Sequence, residues 1–214
     1  MAAAAGELSD ASAASPVMAV VPDDAALMLR YRDGDVRAFE MLYERHKGAL
    51  YRYLQRLCHS PEMANDLFQE VWSKVIASRE RYEARARFTT FLFHIAYNCA
   101  VDQFRRAGRP QERATLDVDG FAEEIPGPAQ ESPDAALAES QLRADFKRAL
   151  DALPAEQRDV FLLYEETGLG LDDIGRITGV AMETAKSRLR YALSKLRGAL
   201  RQHQSPSLQS SVSS

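Results

Sequence analysis

Apolar residues return at helical spacing along most of the chain. Phe39, Leu42, Tyr43, His46, Leu50, Tyr53, Leu54 and Leu57 trace one face of a long helix that Asp35 can cap. Before it, Asp23 and Asp24 open a short helix that Gly34 can end in the left-handed conformation. Ser60-Pro61-Glu62 is a restart signal, with a capping hydroxyl, proline at the first helical position and an acid near the positive helix end. The helix it starts has two faces. Ala64, Leu67, Phe68, Val71, Trp72, Val75 and Ile76 form an apolar stripe, and Asp66, Gln69, Glu70 and Ser73 form a polar, acidic one. After a loop of arginines, Thr89 or Thr90 is the expected cap of a helix running to about Ala107, with Phe88, Leu92, Ile95 and Cys99 inward.

The pattern then stops. Residues 108–133 hold seven glycines and prolines among acids, too long a structureless stretch for the inside of one compact domain, and they read as a linker. Helical periodicity resumes near Asp134 and lasts to about Arg201. No run alternates long enough for a strand. The expectation is an all-α chain: a disordered Ala/Ser-rich tail over 1–22, a helical bundle over 23–108, a flexible acidic linker over 109–134, a second helical domain over 135–201 and a polar tail over 202–214.

Within the second domain, Leu171 to Thr178 makes a short helix with Ile174 and Ile177 inward, Gly179 gives a tight turn, and Met182 begins a longer helix. This is a helix-turn-helix. The first turns of such a second helix enter the major groove, which makes Glu183, Thr184, Ser187 and Arg188 candidates for base edges and Lys186 and Arg190 for phosphates or bases.

Charge sharpens the picture. The 214 residues carry 27 basic and 31 acidic side chains, net −4, which taken whole argues against a nucleic-acid partner. By segment the balance is +4 over 79–110, −7 over 111–140 and +5 over 181–214. Local patches steer binding to polyanions, so the acidic total excludes nothing. The first basic patch differs in kind from the helix-turn-helix: Arg79, Arg81, Arg85 and Arg87 are followed by Phe88, Phe91, Phe93, Tyr97 and Phe104. Rings interleaved with arginines suit single strands, whose unstacked bases stack on aromatics. The competing reading is that most of these rings are core and that Asp102 and Arg106 form a surface ion pair.

Other chemistries find little support. Cys58 and Cys99 form no CxxC and read as small core hydrophobes in a reducing, cytoplasmic setting. His46, His59, His94 and His203 do not join them at ligand spacing, so no metal site or cofactor is expected. No catalytic constellation or secretory signal is present, and the longest apolar run, Phe91 to Ala100, covers about half a bilayer, so no direct membrane insertion is expected. Trp72 reads as a core anchor.

Two motif blocks resemble a known family. Asp66-Leu67-Phe68-Gln69-Glu70-Val71-Trp72, then Phe88, Phe91, Asn98, Asp102, Arg105 and Arg106, resemble region 2 of the extracytoplasmic-function sigma factors. Leu153-Pro154, Arg158-Asp159-Val160-Phe161, Gly179-Val180 and the Thr184 to Leu189 stretch are similar to region 4 of the same family. The resemblance implies a promoter-specificity subunit that binds core RNA polymerase through its clamp coiled coil and flap, with an anti-sigma factor as regulator. It places Asp66, Leu67, Gln69, Glu70 and Ser73 on polymerase. Arg79, Arg81, Arg85, Arg87, Phe88, Phe91, Tyr97, Asn98, Asp102, Arg105 and Arg106 fall on the melted −10 element, and Glu183, Thr184, Lys186, Ser187, Arg188 and Arg190 on the −35 element. Three positions depart from the family pattern: Phe91 replaces a common tryptophan, Tyr97 a common basic residue, and Ala181 the usual capping serine. The rival readings are a dimeric helix-turn-helix regulator, which leaves the acidic stripe without a role, and an adaptor that holds a partner through apolar helices, which the basic helix disfavours.

Overall fold

Eight helices form in the computed structural model, which describes residues 23–58, 60–108 and 133–203, the side chains of 133–138, 202 and 203 excepted. The N-terminal and C-terminal tails, apart from the last turn of the final helix, and the linker, apart from residues 133 and 134, lie outside that range. The first half contains α1 (Asp24–Arg32), α2 (Val36–Cys58), α3 (Pro61–Ala77), a 3-10 turn (Arg79–Arg81) and α4 (Phe88–Arg106). The second contains α5 (Pro133–Asp151), α6 (Ala155–Thr167), α7 (Leu171–Thr178) and α8 (Met182–His203). No strand occurs among the described residues.

Local chemistry sets the boundaries. Gly34 turns at φ +104° and Asp35 Oδ1 accepts from the Ala38 amide at 3.3 Å, starting α2. Ser60 Oγ accepts from the Met63 amide at 3.4 Å, with Pro61 as the first residue of α3. The start of α4 departs from expectation. Arg87, in extended backbone, precedes the helix without a side-chain cap, and Thr90 lies inside the helix, buried. Phe88 is the reason: at 1% exposure it anchors the first turn against the core, and burying a large ring outweighs a missing cap.

In the first half α1 and α3 flank α2, and α4 closes the bundle on α2 and α3. Trp72 meets Tyr43 at 5.0 Å and the edge of Phe39 at 5.7 Å, while Phe68 packs alongside, so Trp72 is the core anchor its stripe implied. Asp24 accepts from Arg45 at 2.7 Å and sits 2.8 Å from His46 Nε2, fastening α1 to α2. In the second half α8 is the spine, contacted by α5, α6 and α7.

A tether between two independent bundles would leave each with its own core. Instead α2 packs on α6 and α4 on α7, and buried apolar residues run without a break from one half into the other.

Candidate nucleic-acid interface

On α3, Asp66, Gln69 and Ser73 are exposed along one strip. Glu70 is half-buried and accepts from Lys74 at 2.7 Å, a pairing that raises the lysine's pKa and keeps it charged. Lys74 Nζ also reaches Cys99 Sγ on α4 at 3.2 Å, so the acidic face is braced against the next helix. Leu67 does not belong to this surface. At 1% exposure it is core, because an i+1 neighbour of Asp66 points about 100° away around the helix. Both cysteines are buried, and burial pushes the Cys58 thiol up to about 12.

The arginine loop and α4 split into exposed and structural members. Arg81, Arg85 and Arg87 are exposed, with Arg85 paired to Glu83, while Arg79 stacks on Tyr31 at 5.6 Å. Phe88 is core, packed between His46 at 5.2 Å and Phe91 at 6.1 Å, so it lies away from solvent and from any strand on the surface. Phe93 and Phe104 are buried too. Phe91 and Tyr97 remain half-buried at the edge of the core, and Asn98, Arg105 and Arg106 are exposed. Asp102 pairs with Arg105 at 3.0 Å rather than with Arg106, one helical position closer than expected.

Sequence reasoning passed over His94, weighing it only as a metal ligand. It lies one turn before Asn98, whose amide nitrogen is 3.4 Å from the ring, and the i, i+4 spacing was the available signal. Phe91, His94, Thr90 and Tyr82 line a cleft of about 320 Å³ whose opposite wall is Arg176 and Ile177 of α7.

The helix-turn-helix forms where the sequence placed it. Gly179 ends α7 at φ +73°, and the Val180 amide donates to the Gly175 carbonyl at 2.9 Å. A Cβ at Gly175 would stand 2.7 Å from the Val180 carbonyl oxygen, so the two helices approach closely only because that residue is glycine. Ala185, Leu189, Ala192 and Leu196 bury one side of α8. Glu183, Thr184, Lys186 and Arg190 are exposed, and Ser187 is half-buried. Arg188 is bound to Glu156 of α6 and its side chain is only 21% exposed. It is positioned by that carboxylate rather than held free in solvent.

Comparison with known proteins gives the family. The family description for sigma-70 region 2 matches residues 42–110, and that for sigma-70 region 4 matches residues 149–198. ECF RNA polymerase sigma factor SigE of Mycolicibacterium smegmatis is 34% identical over 174 residues, spanning 81% of this chain and 65% of SigE. RNA polymerase sigma factor CarQ of Myxococcus xanthus is 33% identical over 173 residues, which span 81% of this chain and 95% of CarQ. The chain belongs to the ECF RNA polymerase sigma factors. Among solved structures, this sigma factor is similar to RpoE from Bartonella quintana, in complex with the anti-sigma factor NepR, with a TM-score of 0.61 and 27% identity over 76% of this chain and 96% of that one. CnrH, solved with the cytosolic domain of CnrY, shares the fold at a TM-score of 0.61 and 20% identity over 84% of this chain and 97% of CnrH. Among the described residues of the sigma factor, no helix is long and apolar enough to cross a membrane.

Proposed function

We propose that this sigma factor divides promoter-directed initiation among three helices. The exposed strip of α3 (Asp66, Gln69, Ser73, with Glu70 beside it) meets core RNA polymerase. The arginine loop and the edge of α4 (Phe91, His94, Tyr97, Asn98, Arg105, Arg106) hold the separated −10 strand, rings stacking on bases and cations meeting phosphates. The exposed first turns of α8 (Glu183, Thr184, Lys186, Arg190) read the −35 duplex in the major groove. Residues 23–108 and 135–201 serve as the two working domains, and 109–134 as the acidic connector between them.

A sigma factor catalyses no bond chemistry. Its work is binding energy directed into strand separation, and stacking is worth about 1–3 kcal/mol per base. Its place of action is the cytoplasm, where polymerase and promoter are. An anti-sigma protein is a further partner, by analogy with the complex formed by the Bartonella relative.

The observation that carries the reading is the sorting of charge by surface: an acidic strip on α3 and two basic faces on α4 and α8, each on a different helix. The test mixes the purified chain with core polymerase and reads run-off transcripts from a promoter library. Promoter-dependent transcripts are expected, and Glu70→Lys should weaken co-elution with core while leaving binding of the full chain to −35 duplex unchanged. Absence of both co-elution and transcript would sink the proposal.

A further inference from the structure

Arg188 stands apart from the other cations of α8. An α-helix turns about 100° per residue, so Glu183, Ser187 and Arg190 share one face. Arg188 lies round from that face, beside the row of Ala185 and Ala192, both fully buried. Its guanidinium crosses to α6 and donates to Glu156 Oε2, and its side chain is only 21% exposed. Its charge also acts on Asp159, which is buried three residues along α6 from Glu156. The charge of Arg188 is thus answered by two acidic side chains of α6.

The neighbouring cations are held differently. Lys186 stands 3.6 Å from Glu183, both of them exposed, and Arg190 lies over the exposed ring of Tyr191 at 5.2 Å. Those contacts lie in solvent on α8 itself, where they are weak, and an arriving duplex can take them over. The Arg188 bridge instead spans two helices. An unattached arginine at the rim of a groove-reading face would fall on the nearest phosphate, because guanidinium pairs two-pronged with phosphate oxygens whatever the sequence. Glu156 occupies that fork. Its own side chain is 67% exposed, so the bridge adds little to stability, and what it can govern is where the guanidinium points.

We propose that Glu156 is a positioning residue for −35 recognition: it holds Arg188 off the DNA, leaving Glu183, Thr184, Lys186 and Arg190 to meet the duplex. Arg188 reads no base and neutralises no phosphate. This inference rests on the reading of α8 as the −35 helix. Its consequence is for selectivity. A phosphate contact strengthens binding to every sequence alike. Withholding one keeps residence on random duplex short without weakening the base contacts that select the promoter. The bridge also ties α8 to α6 before DNA arrives, so less ordering is left to the binding step.

The test uses the full chain bound to core polymerase and measures affinity for three kinds of duplex: the promoter recovered from the run-off library, that promoter with each single change in its −35 element, and random sequence of the same length. Glu156→Gln should release Arg188. Affinity for random duplex then rises, and the slope of log K against log salt steepens by about 0.9, the value of one further phosphate. Arg188→Gln should leave that slope, and the order of base preference at every −35 position, unchanged. Glu156→Gln combined with Arg188→Gln should return the slope to its unsubstituted value, which separates release of Arg188 from the mere loss of a negative charge. A slope that does not move in Glu156→Gln, or that stays steep in the double variant, overturns the positioning role. Preference lost at a single base pair in Arg188→Gln makes Arg188 a base reader, and a shallower slope makes it a phosphate contact; either overturns the proposal. Equal affinity of the unsubstituted complex for every −35 variant would overturn the reading of α8 and the inference with it, a result distinct from any of those produced by the substitutions.

Discussion

On α8 the side turned from the core carries Glu183, Thr184, Lys186 and Arg190, all exposed, while Ala185, Leu189, Ala192 and Leu196 seat the helix from behind. On α4 the positive charge comes mostly from the loop before the helix and from its last turn. The rings between are core (Phe88, Phe93, Phe104) or core edge (Phe91, Tyr97). The difference follows from what each surface must hold. A duplex groove takes a rigid rod with short and charged side chains on one face. A single strand offers flat bases, and rings held firmly at a core margin can stack on them without being drawn into the interior. The α8 face is open to solvent, whereas part of the α4 face lies under α7.

The comparison breaks hardest where a ring belongs to the core. Phe88→Ala should cost about 3–5 kcal/mol, as expected for emptying the site of a fully buried aromatic ring. Phe91→Ala, at a half-buried ring, should cost distinctly less stability yet lose single-strand binding. Denaturant melts of the two variants separate the roles, and equal stability losses would erase the distinction between core and edge on α4.

Much of this was legible in the chain because helix boundaries depend on neighbours in sequence. Ser60-Pro61, Asp35 and Gly179 each act within a few residues, and each performs the structural role its chemistry implies. The start of α4 was not legible by the same logic. Thr89 and Thr90 are sound caps by type, but the position of Phe88 was decided by contacts with α2, far away in the chain. Leu67 and Phe88 were drawn into the candidate site by a motif, which marks a segment without saying which of its residues face inward. The contact between the halves was hidden for the opposite reason. Glu166 sits in a Glu165-Glu166 pair that reads as solvated surface, and only the arrival of Arg52 and Arg56 from more than a hundred residues away makes it a buried carboxylate.

On the α8 side the weak point is backbone rather than ring. Gly175→Ala places a methyl group 2.7 Å from the Val180 carbonyl oxygen, and the turn must shift to admit it. The expected cost is about 1–3 kcal/mol, typical of overpacking. Affinity for −35 duplex should fall with it while association with core polymerase through α3 is retained. A variant that bound duplex normally would mean that the close approach of α7 to the turn is dispensable.

Asp159 joins the two sides. It lies on α6, where the charges of Arg158 and Glu156 on its own helix and of Arg188 on α8 act on it, as it acts on Tyr53 of α2. Burial pushes its carboxyl up to about 7 from 3.8, against the pull of Arg158 and Arg188. The folded chain therefore holds this proton more tightly than the unfolded chain. Stability from this group is fully present below about 3.8 and is lost as pH rises towards about 7, after which it contributes no further slope. Raising the pH from about 5 to about 8 should lower the melting temperature by several degrees, on the scale of about 2–4 °C per kcal/mol for a chain of this size. Asp151, whose pKa is also raised by burial, adds a smaller slope of the same sign. Asp159→Asn should flatten most of the dependence, and an undiminished slope in that variant would assign it elsewhere.

The smallest effect is the sharpest on placement. The Ala181 carbonyl accepts from the Thr184 amide at 2.9 Å and from the Ala185 amide at 3.1 Å, which makes Ala181 the residue that caps α8, yet its own methyl side chain offers the first amides of the helix no acceptor. Ala181→Ser supplies one. A gain of about 1 kcal/mol is expected, read as a higher melting temperature of the full chain. The substitution adds no charge and lies outside the exposed cations, so the salt dependence of −35 binding, which counts phosphates neutralised, should not move. A changed salt slope would place Ala181 in contact with the DNA backbone. An unchanged or lower melting temperature would mean that the α8 amides find their acceptor elsewhere, and that the open face of the recognition helix is set by its packing alone.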